Sequence, residues 1–186
     1  MMFTSGTTSV PKAVPLTHGN LVASIYGIVD VCDLSSADST LIVMPLFHCH
    51  GLVSGPLATL ASGGSAYLPS TGIFSAHLFW PEMARAGATW YIAVPTMYRI
   101  LVNRAAHEYP SQPPLPLRFI RSCSAALDDG LAVAATAEFG TPMIAAYGMI
   151  ETSHQAASNP LPSRGANADR RASHVSCSAN RRRKRS

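Results

Sequence analysis

Short apolar runs alternate with stretches of helical spacing along most of this chain. Leu21, Ile25, Ile28 and Cys32 recur at three- and four-residue intervals, which predicts a helix capped by the Thr17 hydroxyl. Residues 40–44 read as a short buried strand stopped by Pro45, and 50–62 as a helix ended by Gly63-Gly64. Next come a strand over 65–68, a helix within 75–86 with Pro81 in its first turn, and a strand over 89–94. The pattern predicts a helix over 95–107 with Met97, Ile100 and Leu101 on one side, and a stiff connector over 112–116. A strand over 117–122, a helix over 127–139 and a strand over 142–147 complete it. This order predicts an α/β fold, a mainly parallel sheet with helices on both faces. Ligands in such sheets bind beyond the carboxyl ends of the strands. No internal repeat is visible.

The periodicity stops near Pro162, which predicts one domain over 1–162 and a disordered basic tail over 163–186. Charge supports that division. Eight of the 14 basic residues lie between Arg164 and Arg185, against Asp169 alone. The body keeps six basic and nine acidic residues, a net charge of −3, so the overall +4 belongs to the tail. Nucleic acid is therefore not an expected partner of the body. With 47% apolar and 13% charged residues the chain can bury a sizeable core. Cys32, Cys49, Cys123 and Cys177 form no CxxC pair and read as reduced thiols of an intracellular protein, Cys32 and Cys123 in the core. The apolar stretch 41–68 is broken by Pro45, His48, His50, Pro56 and glycines, so no membrane span is expected.

Chemistry-bearing residues form four segments, and the last three fall just after predicted strands. Phe3-Thr4-Ser5-Gly6-Thr7-Thr8-Ser9-Val10-Pro11-Lys12 packs hydroxyls and glycine ahead of a lysine. Glycine lets backbone N–H groups approach a ligand, hydroxyls add rotatable donors, and Lys12 adds a compact charge, a set suited to a polyphosphate. It is not a Walker A loop, since no second glycine precedes Lys12 and no hydroxyl follows it. Met44-Pro45-Leu46-Phe47-His48-Cys49-His50-Gly51 brings two imidazoles without a carboxylate, a poor metal set; His50 alone reads as a core histidine. Arg121-Ser122-Cys123-Ser124-Ala125-Ala126 places small residues at a strand–helix turn, where a flat base can approach the backbone. Ala146-Tyr147-Gly148-Met149-Ile150-Glu151 offers an aromatic for stacking and a carboxylate for a hard cation.

In this order and spacing the four segments resemble the adenylate-forming acid–CoA ligases over about residues 1–162. The first is similar to that family's phosphate loop, the second to its Pro-Leu-[Phe/Tyr]-His-x-x-Gly segment, and the fourth to Tyr-Gly-Met-Thr-Glu. The resemblance implies part of the large N-terminal domain of such an enzyme, using ATP, Mg²⁺ and coenzyme A with a small carboxylic acid. It implies nucleotide binding by Thr4, Ser5, Gly6, Thr7, Thr8, Lys12, Ser122, Ser124, Ala125, Tyr147, Gly148 and Glu151. Catalytic roles fall to Lys12, His48 and Glu151, metal binding to Glu151 and Thr8, and acid binding to Phe47, His48, Ser124 and His154. Phe79-Trp80-Pro81, Ala88-Thr89-Trp90-Tyr91, Arg118–Ser124, Thr152-Ser153-His154 and Ser158-Asn159-Pro160-Leu161-Pro162 resemble the plant and fungal oxalate–CoA ligases most, near the 4-coumarate–CoA ligase-like branch; polar Ser124 and His154 suit a small dicarboxylate.

Four departures from the family pattern carry expectations. Ser9 and Ala13 replace glycines, at about 1 kcal/mol each if those positions need positive φ. Ile150 replaces threonine and removes a donor to the α-phosphate. No ribose-binding Asp, hinge segment or Lys-bearing small domain follows Pro162, so a truncated chain with little or no ligase activity is expected. Alternatives are a non-catalytic nucleotide- or partner-binding fragment, and nuclear or nucleic-acid binding through Arg181-Arg182-Arg183-Lys184-Arg185. Cytoplasm or peroxisome is the expected location.

Overall fold

A computed structural model describes residues 1–4, 10–108 and 115–162. Its element order is β1 (Met2–Thr4), β2 (Lys12–Val14), α1 (His18–Val31), β3 (Ser39–Leu41), α2 (Cys49–Leu52), a π-helical turn (Val53–Leu57), α3 (Ala58–Ala61) and β4 (Ser65–Tyr67). There follow α4 (Phe79–Arg85), β5 (Trp90–Ala93), α5 (Pro95–Glu108), β6 (Phe119–Ser122), α6 (Asp129–Phe139), β7 (Met143–Met149), a 3₁₀ turn (Ile150–Thr152) and β8 (His154–Ser158).

The main sheet has the order β4-β3-β5-β6-β7-β8. Its first five strands are parallel and β8 runs antiparallel to β7. The α/β, mainly parallel expectation holds. Alternation along each strand sends successive side chains to opposite faces. Tyr91, Ala93 and Ile120 enter one core with Trp80, Met83, Tyr98, Leu101 and Phe139, from α4, α5 and α6. Trp90, Ile92, Phe119 and Ile144 enter a second core with Ile28, Cys32 and Val53, from α1 and the π-helical turn. Helices therefore cover both faces.

Local chemistry explains the element limits. Thr17 caps α1 reciprocally with Asn20. Asp128 caps α6, and Gly140, at φ 61°, ends it. The helix expected over 50–62 is divided, because Pro56 has no N–H to donate and sits within the π-helical turn. On α5, Tyr98 and Leu101 turn inward while Ile100 is 44% exposed, correcting its expected inward position. The inward stripe runs through 98, 101 and 105, and Ile100 lies one helical step off it. Ala13 stands in β2, paired with Phe3, and its φ is not positive, so the strain expected of it is absent. Ser9, the other departure, lies outside the described residues.

At the amino ends of the strands, Asp38 ties three of them together. It is 2% exposed. Its Oδ1 accepts from Arg118 at 2.6 Å and from Thr89 at 2.8 Å, and its Oδ2 accepts from the Ser35 backbone at 2.8 Å. This leaves the opposite, carboxyl ends open for chemistry.

Candidate functional site

Three loops meet at the carboxyl ends of β3, β6 and β7. Gly51 lets α2 lie directly on the preceding turn, since a Cβ there would come 2.1 Å from the Pro45 carbonyl oxygen. That approach turns His50 inward, and the Ser54 hydroxyl donates to its carbonyl. His50 is 1% exposed. Its Nδ1 shares a 2.6 Å hydrogen bond with Ser124 Oγ, and its ring stacks on His154 with centroids 5.1 Å apart. Gly148 does for β8 what Gly51 does for α2: its missing Cβ makes room for the His154 carbonyl, which would otherwise lie 1.7 Å away. β7 and β8 are bulged there, at Tyr147/Gly148.

Backbone strain concentrates at the same place. Among the described residues four non-glycines have positive φ, and three of them are Ser124 (72°), Ser153 (57°) and His154 (107°). Such conformations persist only where the surroundings impose them, and they cluster at functional sites.

Beneath the two imidazoles lies Arg121, in the middle of β6 and fully buried. One terminal nitrogen donates to Gln155 Oε1, and the other lies 3.5 Å from His154 Nε2. A guanidinium has only donors, so the facing His154 nitrogen must accept, and the ring stays neutral. Burial, then the Arg121 charge, pushes the His50 pKa down from 6.5 to about 3, with a smaller contribution from His48. Burial and Arg121 likewise hold His154 well below its ordinary value. The site therefore offers neutral rings rather than imidazolium cations. Burial raises the Cys49 and Cys123 thiols, which disfavours the thiolate at both.

The other expected residues lie around this set. Phe47 is 85% exposed, and His48 is exposed at the start of α2. His50, rather than His48, meets Ser124 and His154. Tyr147 is 57% exposed beside Gly148, Ala125 is exposed, and Ser122 is buried at the end of β6. Thr4 and Lys12 pair across β1 and β2, and β1 lies against the Ile150–Thr152 turn that carries Glu151. Ser5, Gly6, Thr7 and Thr8 lie outside the described residues. Glu151 is exposed and makes no ion pair with the described residues. One such carboxylate, completed by phosphate oxygens and water, fits Mg²⁺; no cluster of three metal-ligating side chains occurs among the described residues.

Sequence reasoning named Arg121 within the small-residue turn without giving it a role, did not single out Gln155, and read His50 as a core residue. The signal for Arg121 was present: a charged residue inside the apolar run Phe119-Ile120-Arg121.

The AMP-binding enzyme family matches residues 1–178. The chain belongs to the AMP-binding enzyme family. Over 168 residues it is 49% identical to the oxalate–CoA ligase of Arabidopsis thaliana, covering 88% of this chain and 32% of that protein. The oxalate–CoA ligase of Saccharomyces cerevisiae is 42% identical over 163 residues, 87% of this chain and 29% of that one. Among solved structures, ATP-bound MatB from Rhodopseudomonas palustris superposes with a TM-score of 0.76 at 30% identity, over 86% of this chain and 30% of the other. The chain thus spans about a third of the length of these AMP-binding relatives. No helix of the described residues is long and apolar enough to cross a membrane.

Proposed function

We propose that this chain forms the ATP- and acid-facing part of an AMP-forming acid–CoA ligase whose acid is small and dicarboxylic, as oxalate is. The observation that carries the reading is the set His50, Ser124 and His154, joined by a 2.6 Å hydrogen bond and a ring stack at the carboxyl ends of the sheet. The two relatives named for oxalate support the choice of acid.

In this reading the acid carboxylate attacks the α-phosphorus of ATP, and the bond to pyrophosphate breaks. Coenzyme A thiolate then attacks the acyl carbon and releases AMP. Ser124 and His154 hydrogen-bond the acid, with Phe47 and His48 at its open side. Tyr147 stacks on adenine, with Ser122, Ala125 and Gly148 giving the base close access to backbone. Thr4, Ser5, Gly6, Thr7, Thr8 and Lys12 hold phosphate oxygens. Glu151, with Thr8, would hold Mg²⁺, which supplies charge neutralisation on the phosphates. Neutral, buried imidazoles orient a carboxylate without neutralising it, so its nucleophilic charge is kept. Cytoplasm or peroxisome suits such a reaction, where ATP and coenzyme A are both at hand.

Calorimetry on the 186-residue chain tests the reading. Mg-ATP should bind once per chain, and Lys12→Ala should weaken that binding at least tenfold. No heat of ATP binding overturns the reading; binding without pyrophosphate release on adding oxalate and coenzyme A limits this chain to the binding half of it.

A further inference from the structure

The cation beneath the two imidazoles has no counter-charge among the described residues. Arg121 is fully buried, and its partners, Gln155 Oε1 and His154 Nε2, are neutral. Two polar atoms here lack any hydrogen-bond partner among the described residues: Arg121 Nε and His50 Nε2. A buried charge without a partner is strongly unfavourable, and groups of this kind cluster at functional sites. Nor do the neighbouring rings share the charge, since both are neutral.

We propose that Arg121 is a specificity-determining positioning residue for the acid: its charge acts through His154 and favours acids that carry a second carboxylate. This rests on the acid–CoA ligase reading above. The route is geometric. Arg121 faces Nε2 of His154 at 3.5 Å, so the proton of that neutral ring sits on Nδ1. That nitrogen faces Gly148, 3.4 Å from where a Cβ of residue 148 would stand, beside exposed Tyr147. A donor whose other nitrogen receives a cationic hydrogen bond is polarised, and hydrogen bonds in series strengthen one another. From its fully buried position the guanidinium also attracts the acid's second negative charge through space. A monocarboxylate offers only the oxygens that must react, and gains little from either effect.

The test compares oxalate with acetate by calorimetry on the full chain, native and as Arg121→Met and Arg121→Lys, each with a parallel Mg-ATP titration. The native chain should favour oxalate by at least tenfold. Arg121→Met should lose roughly tenfold in oxalate affinity with acetate and ATP unchanged, and Arg121→Lys, which keeps the charge, should recover most of it. Equal oxalate affinity in native and Arg121→Met chains overturns the proposal, as does a parallel loss for oxalate and acetate. ATP binding without oxalate preference in the native chain overturns it, and with it the choice of a dicarboxylic acid, while leaving the AMP-forming ligase reading standing; failure to bind ATP removes the ligase reading first. If Arg121→Met does not fold, the native chain still decides. The Arg121 Nε–H resonance should shift with saturating oxalate and not with acetate, and an identical response to both overturns the proposal.

Discussion

Arg118 immediately precedes β6, by the amino ends of the parallel strands, and Arg121 sits three residues on, toward the carboxyl ends. Arg118 is part-exposed and meets the buried Asp38 carboxylate at 2.6 Å. Asp38 in turn is filled by Thr89 and Ser35, so every charge at that end has a partner. Arg121 is wholly buried and, among the described residues, meets only neutral groups and leaves Nε unbonded. One strand thus carries a satisfied ion pair at one end and an unsatisfied cation at the other. The difference separates a residue that holds the sheet together from one whose cost is retained for another purpose.

The comparison is broken most severely at the amino end. Arg118→Leu strips the counter-ion from a carboxylate that is almost wholly buried. Breaking a buried pair by removing one partner costs roughly 3–5 kcal/mol. A large fall in the urea midpoint is therefore expected, with the slope unchanged. A midpoint that stays put would show that Thr89 and Ser35 suffice for Asp38 and that the two ends do not differ as described.

Acid titration probes the carboxyl end. Above about pH 6.5, the ordinary histidine value, His50 and His154 are neutral in both folded and unfolded chains. Below it the unfolded chain takes up protons that the folded chain refuses. Stability should therefore fall as pH drops from about 6.5 toward 3, where His50 itself titrates, by up to about 1.4 kcal/mol per pH unit for each ring. His50→Gln should remove about half of that slope. Unfolding midpoints measured between pH 7.5 and 5 check this, and a slope that His50→Gln leaves intact would place the buried proton sites elsewhere.

Much of this was legible in the sequence. The alternation of strand and helix signals gave the sheet and its two helical layers, because parallel strands buried on both faces read as short apolar runs. The site was legible as separate segments, since each glycine- or small-residue turn has its own local signature. What could not be read was the pairing between segments. Ser124 and His50 are 74 residues apart, and nothing in either neighbourhood specifies a hydrogen bond between them. β8 was missed because His154-Gln155-Ala156-Ala157-Ser158 has neither apolar alternation nor β-branched residues. It is a strand because it completes the edge of β7, and that tertiary pairing sets the position of His154.

The smallest expected effect is the most discriminating. Arg121→Met removes a buried cation and fills its volume with a flexible apolar chain on the sheet face that carries Phe119, Trp90 and Ile92. The bonds to Gln155 and His154 are lost, and so is the burden of an unpartnered charge. Replacing buried ionic groups with apolar ones of similar size is often neutral or stabilising. The urea midpoint should therefore shift by no more than about 1 kcal/mol in stability, or rise, in contrast to Arg118→Leu. The His50 ring should also become easier to protonate, since Arg121 is the second-largest cause of its depression after burial. Burial remains, so the ring should still titrate below its ordinary value when followed by NMR. A stability loss above about 3 kcal/mol would put Arg121 in the same class as Arg118. Its charge would then be holding β8 to β6, and acid selection would need another source.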